Sequence, residues 1–423
     1  MSGSSMDTIL LEGLRFFTRD TAILEGVSAA CGAGNRTTLA MDGAVREDSV
    51  FDLASVTKLF TGLCTMKLNE EGLLDPGRPV FSYDPRFRFL KETTVRDLMT
   101  FAVTVRTPVR LDGCADRESA MEALFASTAA PHEDVRRIYS DIPAMILKYV
   151  LEAAAGMPFM DCVRKLVLEP AGMTETWASV PPERKKDCQC YDREHRIENG
   201  QWILREGWKA GVPHDPKAAV LQGDTGDLCG HAGLFSTRGD MIRFCRAVLD
   251  RKVVGEESLR EMAVNRTGRR RANGAWTQFL GIQCYVRHPD QYYSEIPRYM
   301  GQRAFGIGGF TGNHVSVDPE RNVFAVFLGN RVMNRLTVLV PEEGKSLTDY
   351  GLNPDGSGYF RWKDGEVIPS SVKYVHQKDE HFHKAIAETM NLEEIPFNSE
   401  FRIQNYKMSD RQENNHRLRQ LAA

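Results

Sequence analysis

The sequence predicts an α/β protein: an antiparallel sheet of five or more strands, flanked by helices, with an all-helical domain inserted into it. Three observations predict this. Residues 22–30 and 37–41 are rich in β-branched and small side chains and are separated by Gly32, Gly34 and Asn35, a hairpin signal. From Leu74 to about Gly223 apolar residues recur at helical spacing. Strand signals then return over 277–286, 304–317 and 322–328. The sheet is therefore split by the helical block, and strands joined by turns make it antiparallel.

In chain order, residues 7–19 carry Ile9, Leu10, Leu14 and Phe17 on one helical face. The hairpin follows, and the run from Phe51 to Phe60 leads from an extended approach into a helix. Its stripe of Leu59, Leu63, Met66 and Leu68 ends at Gly72. Residues 94–101, 117–127, 142–155 and 158–168 read as helices of the insertion, whereas 187–222 is polar, punctuated by Gly and Pro, and resists assignment. Residues 230–237, Gly-His-Ala-Gly-Leu-Phe-Ser-Thr, open a further helix over 238–249. Residues 335–370 read as a loop-rich insertion and 372–390 as a closing helix. The division is a discontinuous α/β domain, 1–75 and 225–390, a helical domain, 76–224, and a C-terminal extension, 391–423, expected to be partly mobile.

The 423 residues are 42% hydrophobic and 26% charged, the balance of a folded soluble chain with two or three core-forming units. A net charge of −3 gives no bias toward nucleic acid or an anionic membrane. Arg269-Arg270-Arg271, the one dense basic run, reads as a solvated loop between glycines. No apolar run reaches spanning length, and no charged-then-apolar leader is present. Met1 to Ser5 reads as an appended leader ahead of a start at Met6. Cytoplasm, with reduced thiols, is the expected compartment for nine scattered cysteines. Cys188-Gln189-Cys190 with His195 lacks zinc spacing, and His381 and His383 face apart on a helix, so no metal is expected.

Ser55 lies at or near the N-terminus of the helical pattern that ends at Gly72, with Lys58 one turn on along the same face. The helix terminus offers backbone N–H groups to an anion forming beside the hydroxyl. Four residues thus hold a nucleophile, a possible base and half of an oxyanion hole. The spacing alone is weak. An N-capping Ser55 with an exposed Lys58 is the alternative, and Ser370-Ser371-Val372-Lys373 repeats the pattern.

Two more elements complete it. Tyr139-Ser140-Asp141 stands at the start of the 142–155 helix. Phe305-Gly306-Ile307-Gly308-Gly309-Phe310-Thr311-Gly312 opens a strand running to Asp318. That run lacks the lysine and following helix of a phosphate loop, and fits an edge strand or bulge approached closely by another backbone. In this order the elements resemble the penicillin-recognising serine hydrolases, most closely the class C β-lactamase branch with its esterase, DD-peptidase and D-aminopeptidase relatives. The resemblance runs from about residue 20 to 334, through 53–58, 72–75, 139–147, 169–176, 212–215, 230–237, 305–319 and 330–331.

The resemblance implies a β-lactamase/DD-peptidase-like fold with its site between the two domains. It makes Ser55 the acylated nucleophile and gives Lys58 and Tyr139 the general-base and general-acid work. The backbone N–H groups of Ser55 and Phe310 form the oxyanion hole, and Asp141, Ile307, Gly308 and Gly309 take substrate-side positions. Free Lys and Tyr titrate near ~10.4 and ~10. In a dry cleft they form one coupled system, the ammonium favouring a phenolate and burial a neutral amine. No Gly-x-Ser-x-Gly elbow is present and no histidine is required.

Three departures shape the substrate expectation. Ile307 and Gly308 stand where lactamases and DD-peptidases carry Lys or His and then Thr, and neither can hold a carboxylate. A hydrophobic residue followed by Gly-Gly resembles the esterase and acyltransferase members; Arg303 or Arg331 would have to supply any charge. Asp141 replaces an Asn and, by favouring the Lys58 ammonium, tilts the base role toward Tyr139. Phe101-Ala102-Val103-Thr104-Val105 replaces the usual His-Thr-Ser-Gly-Leu at the pocket edge.

The expected activity is hydrolysis of carboxylic esters with small to moderate acyl groups, through an ester on Ser55 and without a cofactor. The alternatives are a D-amino-acid amidase or peptidase, a β-lactamase, and an inactive binding domain of the same fold. The expected partner is a small ester or amide, with neither nucleic acid nor membrane, and the oligomeric state is open. His231 is expected as a turn residue satisfied by backbone or as a substrate contact, and His214 with Asp215 as pins between the domains.

Overall fold

The computed structural model describes residues 5–222, 225–290 and 294–397. The expected leader up to Ser4 and the expected mobile tail from residue 398 lie outside the described residues. Helix α1 (Ser5–Arg15) buries Leu10 and Leu14. Strands β1 (Gly26–Ala33) and β2 (Arg36–Gly43) form the hairpin, in register from Gly26 opposite Gly43 to Ala33 opposite Arg36. Its turn places Gly34 at φ 57°, a left-handed conformation open to a residue without Cβ. After the insertion, β3 (Tyr285–Val286), β4 (Phe305–Gly309), β5 (Asn313–Asp318) and β6 (Val323–Gly329) complete the sheet. It is wholly antiparallel, in the order β3-β4-β5-β6-β1-β2.

The central strands read as continuous apolar runs because both faces are covered. One face packs Phe327 against Leu14 and Phe17 near α1 and Phe382 and Ile386 near the C-terminus. On the other, Ile307, Val315 and Val326 join the large core. That core also holds Leu59 and Leu63 of α2 (Thr57–Glu70), Met145 and Leu147 of α3 (Ile142–Ala155), and Phe244 of α4 (Arg238–Leu249).

The single strand expected over 304–317 is two. Gly312 takes φ 116° and donates its N–H to the Gly309 carbonyl at 3.0 Å, so the chain reverses and β4 pairs with β5. Of 277–286, only Tyr285 and Val286 pair with β4, opposite Gly306 and Phe305. Among the described residues no strand flanks Ile307–Gly309 on that side.

The inserted block is not all-helical. Helices Val95–Met99 and Arg117–Phe125 and α3 agree with expectation, the first two with capping boxes at Thr94 and Asp116. The unassigned stretch, however, holds a hairpin of Glu194–Glu198 with Gln201–Arg205. Its turn is Asn199-Gly200, at φ 51° and 73°, the two positive values of a two-residue hairpin turn. Nor is 335–370 only loop. Leu336–Leu339 pairs in parallel with Glu194–Glu198, and Tyr359–Arg361 pairs with Val367–Pro369. Ile197, Leu336, Phe360, Trp362 and Ile368 share a small core of their own. Two distant segments thus build one β module, across the expected domain division. No single helix among the described residues is long and apolar enough to cross a membrane.

Candidate active site

Ser55 is reached through a short strand and a strained turn. Phe51–Asp52 pairs with Phe235–Ser236, and Ala54 then takes φ 46°, a left-handed value unfavourable for a residue with a Cβ. Asp52 holds this turn in place. Its carboxylate accepts from the N–H groups of Ala54 at 2.9 Å and His214 at 2.7 Å. Its carbonyl accepts from Thr311 Oγ1 at 2.8 Å and Asn313 Nδ2 at 2.5 Å. One buried residue therefore ties the Ser55 turn to the turn after β4 and to the inserted block. The sequence reading missed Asp52; its signal is an Asx turn, an Asp bonding the backbone two residues on.

Lys58, one turn beyond Ser55, is fully buried. Its ammonium donates to Ser55 Oγ at 3.2 Å, Asp141 Oδ1 at 2.7 Å and the His231 carbonyl at 3.0 Å, so all three donors find acceptors. No side chain caps the turn or the helix behind it, which removes the capping alternative. Asp141 occupies the N-cap position of α3 but makes no capping bond. Its carboxylate turns instead to Lys58 and, through Oδ2, to Lys217 at 3.3 Å. Burial alone would raise the Asp141 carboxyl; Lys58, His231 and Lys217 outweigh it and hold the group well below the usual range.

Lys217 also meets Asp215 Oδ2 at 2.9 Å, and Asp215 Oδ1 faces His231 Nε2 at 3.0 Å. One expectation is corrected here: the His231 ring is held by Asp215 instead of backbone, and its carbonyl, not its ring, reaches Lys58. Asp215 bonds His231 across the expected domain division, as a pin would, and also belongs to this charge network. Gly230, at φ 81°, sets the loop: a Cβ there would lie 2.5 Å from the Ala144 carbonyl oxygen. Asp141, Asp215 and His231 bring one ligand atom each within 4.8 Å of one another. Two ammonium groups already neutralise both carboxylates, so the cluster is an ion-pair network and does not fit a metal.

Tyr139 donates its backbone N–H to Gln278 Oε1 at 2.9 Å. Its ring lies against Phe101 and Tyr285, centroids 5.7 and 5.5 Å away, with Lys58 Nζ 4.9 Å from the ring centre. The phenol oxygen is buried and makes no hydrogen bond among the described residues. Burial first and Asp141 second push its ionisation well above the ordinary value; the neighbouring Ser55 hydroxyl opposes this only in part. Burial and Asp141 thus both disfavour the phenolate that a base role for Tyr139 needs. The carboxylate that was to tilt the base role toward Tyr139 works against it. The altered 101–105 loop supplies Phe101, at φ 55°, which makes this edge aromatic.

Gly309 brings β4 onto the nucleophile turn: a Cβ there would stand 2.6 Å from the Leu53 carbonyl oxygen. Phe310 is the next residue after this close approach to Leu53 and Ala54. Its ring stacks on His214 at 5.7 Å, with the guanidinium groups of Arg331 and Arg196 4.8 and 5.5 Å from its centre. Arg196 comes from the β module, as does Glu194, which meets His214 Nε2 at 3.0 Å. His214 is thus the pin that was expected, through its N–H to Asp52 and its ring to the module. Ile307 is fully buried in the large core, so it does not line a substrate path as expected; its side chain alternates onto the core face of β4. Gly308 is the partly exposed member, and a Cβ on it would lie 3.0 Å from Glu295 Oε2. Lys378, from the closing helix, holds Glu295 at 3.0 Å.

Arg303 pairs with Glu320 at 2.8 Å. Arg331 donates to the Thr337 carbonyl at 2.6 Å and has no carboxylate at ion-pair distance among the described residues. Ser371, in the second Ser-x-x-Lys, donates to the Arg331 carbonyl at 3.1 Å. Cys188, Cys190 and His195 do not converge; His195 packs on Trp362.

An antiparallel sheet and an inserted block that meet at Ser55, Lys58 and Tyr139 are the hallmarks of a serine hydrolase of the β-lactamase-like fold. The sequence model of one family, Beta-lactamase, matches residues 16–337, and the chain belongs to that family. It is 23% identical over 328 residues to "Putative D-alanyl-D-alanine carboxypeptidase" of Escherichia coli (strain K12), across 72% of this chain and 74% of that one. A protein of the same name from Salmonella paratyphi B is 26% identical over 309 residues, across 67% and 70%. Among solved structures the chain is similar to "EstCE1, a hydrolase with promiscuous acyltransferase activity", with a TM-score of 0.60, 17% identity, and 77% and 95% of the two chains covered. It is also similar to EstA from Arthrobacter nitroguajacolicus Rue61a, with a TM-score of 0.57, 16% identity, and 79% and 92% covered. At these identities the structural likenesses show the fold alone.

Proposed function

We propose that the protein hydrolyses carboxylic esters with small to moderate acyl groups through an ester on Ser55. The observation that carries this reading is the Lys58 Nζ to Ser55 Oγ hydrogen bond of 3.2 Å, formed beside the Phe310 turn. Lys58 Nζ lies within hydrogen-bond distance of Ser55 Oγ, Asp141 Oδ1 and the His231 carbonyl. In the reactive form Lys58 is the free amine and takes the Ser55 proton as Oγ attacks the acyl carbon. The N–H groups of Ser55 and Phe310 receive the developing oxyanion. Tyr139, a phenol across the working range, gives its proton to the departing alkoxide and regains one from Lys58. Water then releases the acid by the same steps in reverse.

The ester preference rests on β4. Where the resembled lactamases and DD-peptidases hold a substrate carboxylate there stand a buried Ile307 and Gly308, neither with a group to bind an anion, and the polar side chain nearest Gly308, Glu295, already has Lys378 as its partner. The esterases of the same fold are in keeping with it. One observation favours a second reading, an amidase or peptidase for substrates ending in a carboxylate: Arg331, over Phe310, lacks a carboxylate partner. The names of the sequence relatives agree with that alternative. Hydrolysis of p-nitrophenyl acetate and butyrate, set beside a D-alanyl p-nitroanilide in the wild type and Ser55→Ala, separates the two. Ester turnover abolished in Ser55→Ala is the expected result. Turnover of the anilide alone would replace the ester reading with the second, and no turnover with no fluorophosphonate adduct on Ser55 would remove both.

A further inference from the structure

Two carboxylates crowd the buried Lys58. Asp141 touches it from the start of α3, and Asp215 lies behind Asp141 at the start of the short helix Pro216–Gln222. Left with a single ammonium between them, two anions would hold it charged, and the free amine that takes the Ser55 proton would be out of reach. Lys217 stands on the far side of Asp141: Lys58 takes Oδ1, and Lys217 takes Oδ2 at 3.3 Å while also bonding Asp215 Oδ2 at 2.9 Å. Its side chain is 21% exposed, so solvent screens it little.

We propose that Lys217 is a positioning residue for acylation: it neutralises Asp141 and Asp215 together and fixes the Asp141 carboxylate so that Lys58 can release a proton and serve Ser55 as base. The inference rests on the Ser55–Lys58 chemistry proposed above. Lys217 itself makes and breaks no bond. The charged and titratable groups around Lys58 come from four segments. Ser55 precedes it on its own turn, and Tyr139 and Asp141 stand before α3. Asp215 immediately precedes the short helix and Lys217 lies in it, and His231, bonded to Asp215, comes from the loop after it. Arg137, Tyr285 and Glu295 lie farther out, around Tyr139 and Tyr285. Among the described residues Lys217 is the one cation bridging both carboxylates. Burial works against its charge, but Asp215 and Asp141 push its ammonium above the ordinary range, so it stays a cation wherever the enzyme works.

The test measures the rate of Ser55 labelling by a fluorophosphonate against pH in the full chain, for the wild type, Lys217→Met, Lys217→Arg and the double variant Lys217→Met with Asp215→Asn. A unit charge some ~6 Å away in a buried site corresponds to a shift of about one to two pH units. The acid limb for Lys217→Met is therefore expected to move up by at least about one unit, with labelling at pH 7 slowed about tenfold or more. Lys217→Arg and the double variant, which restore the charge balance, should return the limb close to its wild-type position. An unmoved limb in Lys217→Met, with Ser55 still labelled, overturns the proposal and leaves the acyl-enzyme reading intact. Equal slowing of all three variants at every pH also overturns it, since that marks a merely structural lysine. Failure to label wild-type Ser55 overturns the chemistry beneath it.

Discussion

A methyl group on Gly309 asks whether the closeness of β4 to the nucleophile turn makes the oxyanion hole. The added Cβ in Gly309→Ala would stand 2.6 Å from the Leu53 carbonyl oxygen, 3.3 Å from Asn313 Cβ and 3.4 Å from Ala54 Cβ. Carbon and carbonyl oxygen settle no closer than about 3.3 Å, so one side must retreat by about 0.7 Å. The Leu53 carbonyl is backbone, and the turn after it is held at φ 46° by Asp52, so β4 and Phe310 move. Overpacking of this kind costs about 1–3 kcal/mol of stability. A donor displaced by that much leaves the oxyanion's hydrogen-bond range, which is worth about 10²–10³ in kcat. The assay is kcat and KM for p-nitrophenyl butyrate beside a thermal melt. Gly308→Ala serves as the comparison, because its Cβ would meet the end of the Glu295 side chain at 3.0 Å and backbone, the Asn313 carbonyl oxygen, only at an ordinary 3.6 Å, and should retain far more activity. A folded Gly309→Ala enzyme with wild-type kcat would refute the reasoning.

Two further predictions concern protons and one concerns the turn of the module. Tyr139→Phe removes a buried hydroxyl without a partner, so its melting temperature should hold or rise while kcat falls about 10²–10⁴-fold; an unchanged kcat would remove Tyr139 from the reaction. Burial would raise Glu194 and Glu295, but His214 for the first and Lys378 for the second outweigh it and hold each carboxyl at about 2. Both are depressed on folding, so their stabilisation, about 3 kcal/mol apiece, is complete above ~4.5 and is lost as the pH falls toward 2. Urea midpoints at pH 5 and pH 3 should fall accordingly, and Glu295→Gln should lose part of that pH dependence; a flat profile would show the pairs to be neutral in effect. Gly200→Val, at φ 73°, should destabilise the module by about 1–3 kcal/mol, read from near-ultraviolet dichroism of Trp202 and Trp362.

Much of this was legible in the chain because it is local. The spacing from Ser55 to Lys58 needs only a turn of helix to become a contact, and the split sheet announces itself through strand-like runs on both sides of a helical stretch. Buried β6 and the capping boxes at Thr94 and Asp116 follow from patterns of the same short range. Asn199-Gly200 was equally local and equally readable, yet the polar residues around it concealed a strand that faces only a small core. The reversal at 310–312 was hidden because glycines leave no alternation to break. Lys217 and Asp52 act through partners far along the chain, Asp141, Ala54, Thr311 and Asn313 among them, and no periodicity marks such pairs. The surroundings of Tyr139 are hidden for the same reason: burial and Asp141 act on it through space, and neither distance is written in the order of residues.

The β module has a consequence in time. Thr337 Oγ1 donates to Glu194 Oε1 across 143 residues of chain, and pairing over such separations is the slow part of folding. During synthesis Ser55, Lys58 and Tyr139 emerge first and can dock on one another, but Arg196, Arg331 and the His214–Glu194 pair around Phe310 wait for the strands beyond residue 335. A nascent or prematurely ended chain carries the nucleophile and its base without a finished wall for the oxyanion. On the proposed chemistry, the oxyanion side of the site is complete only once the strands beyond residue 335 have paired.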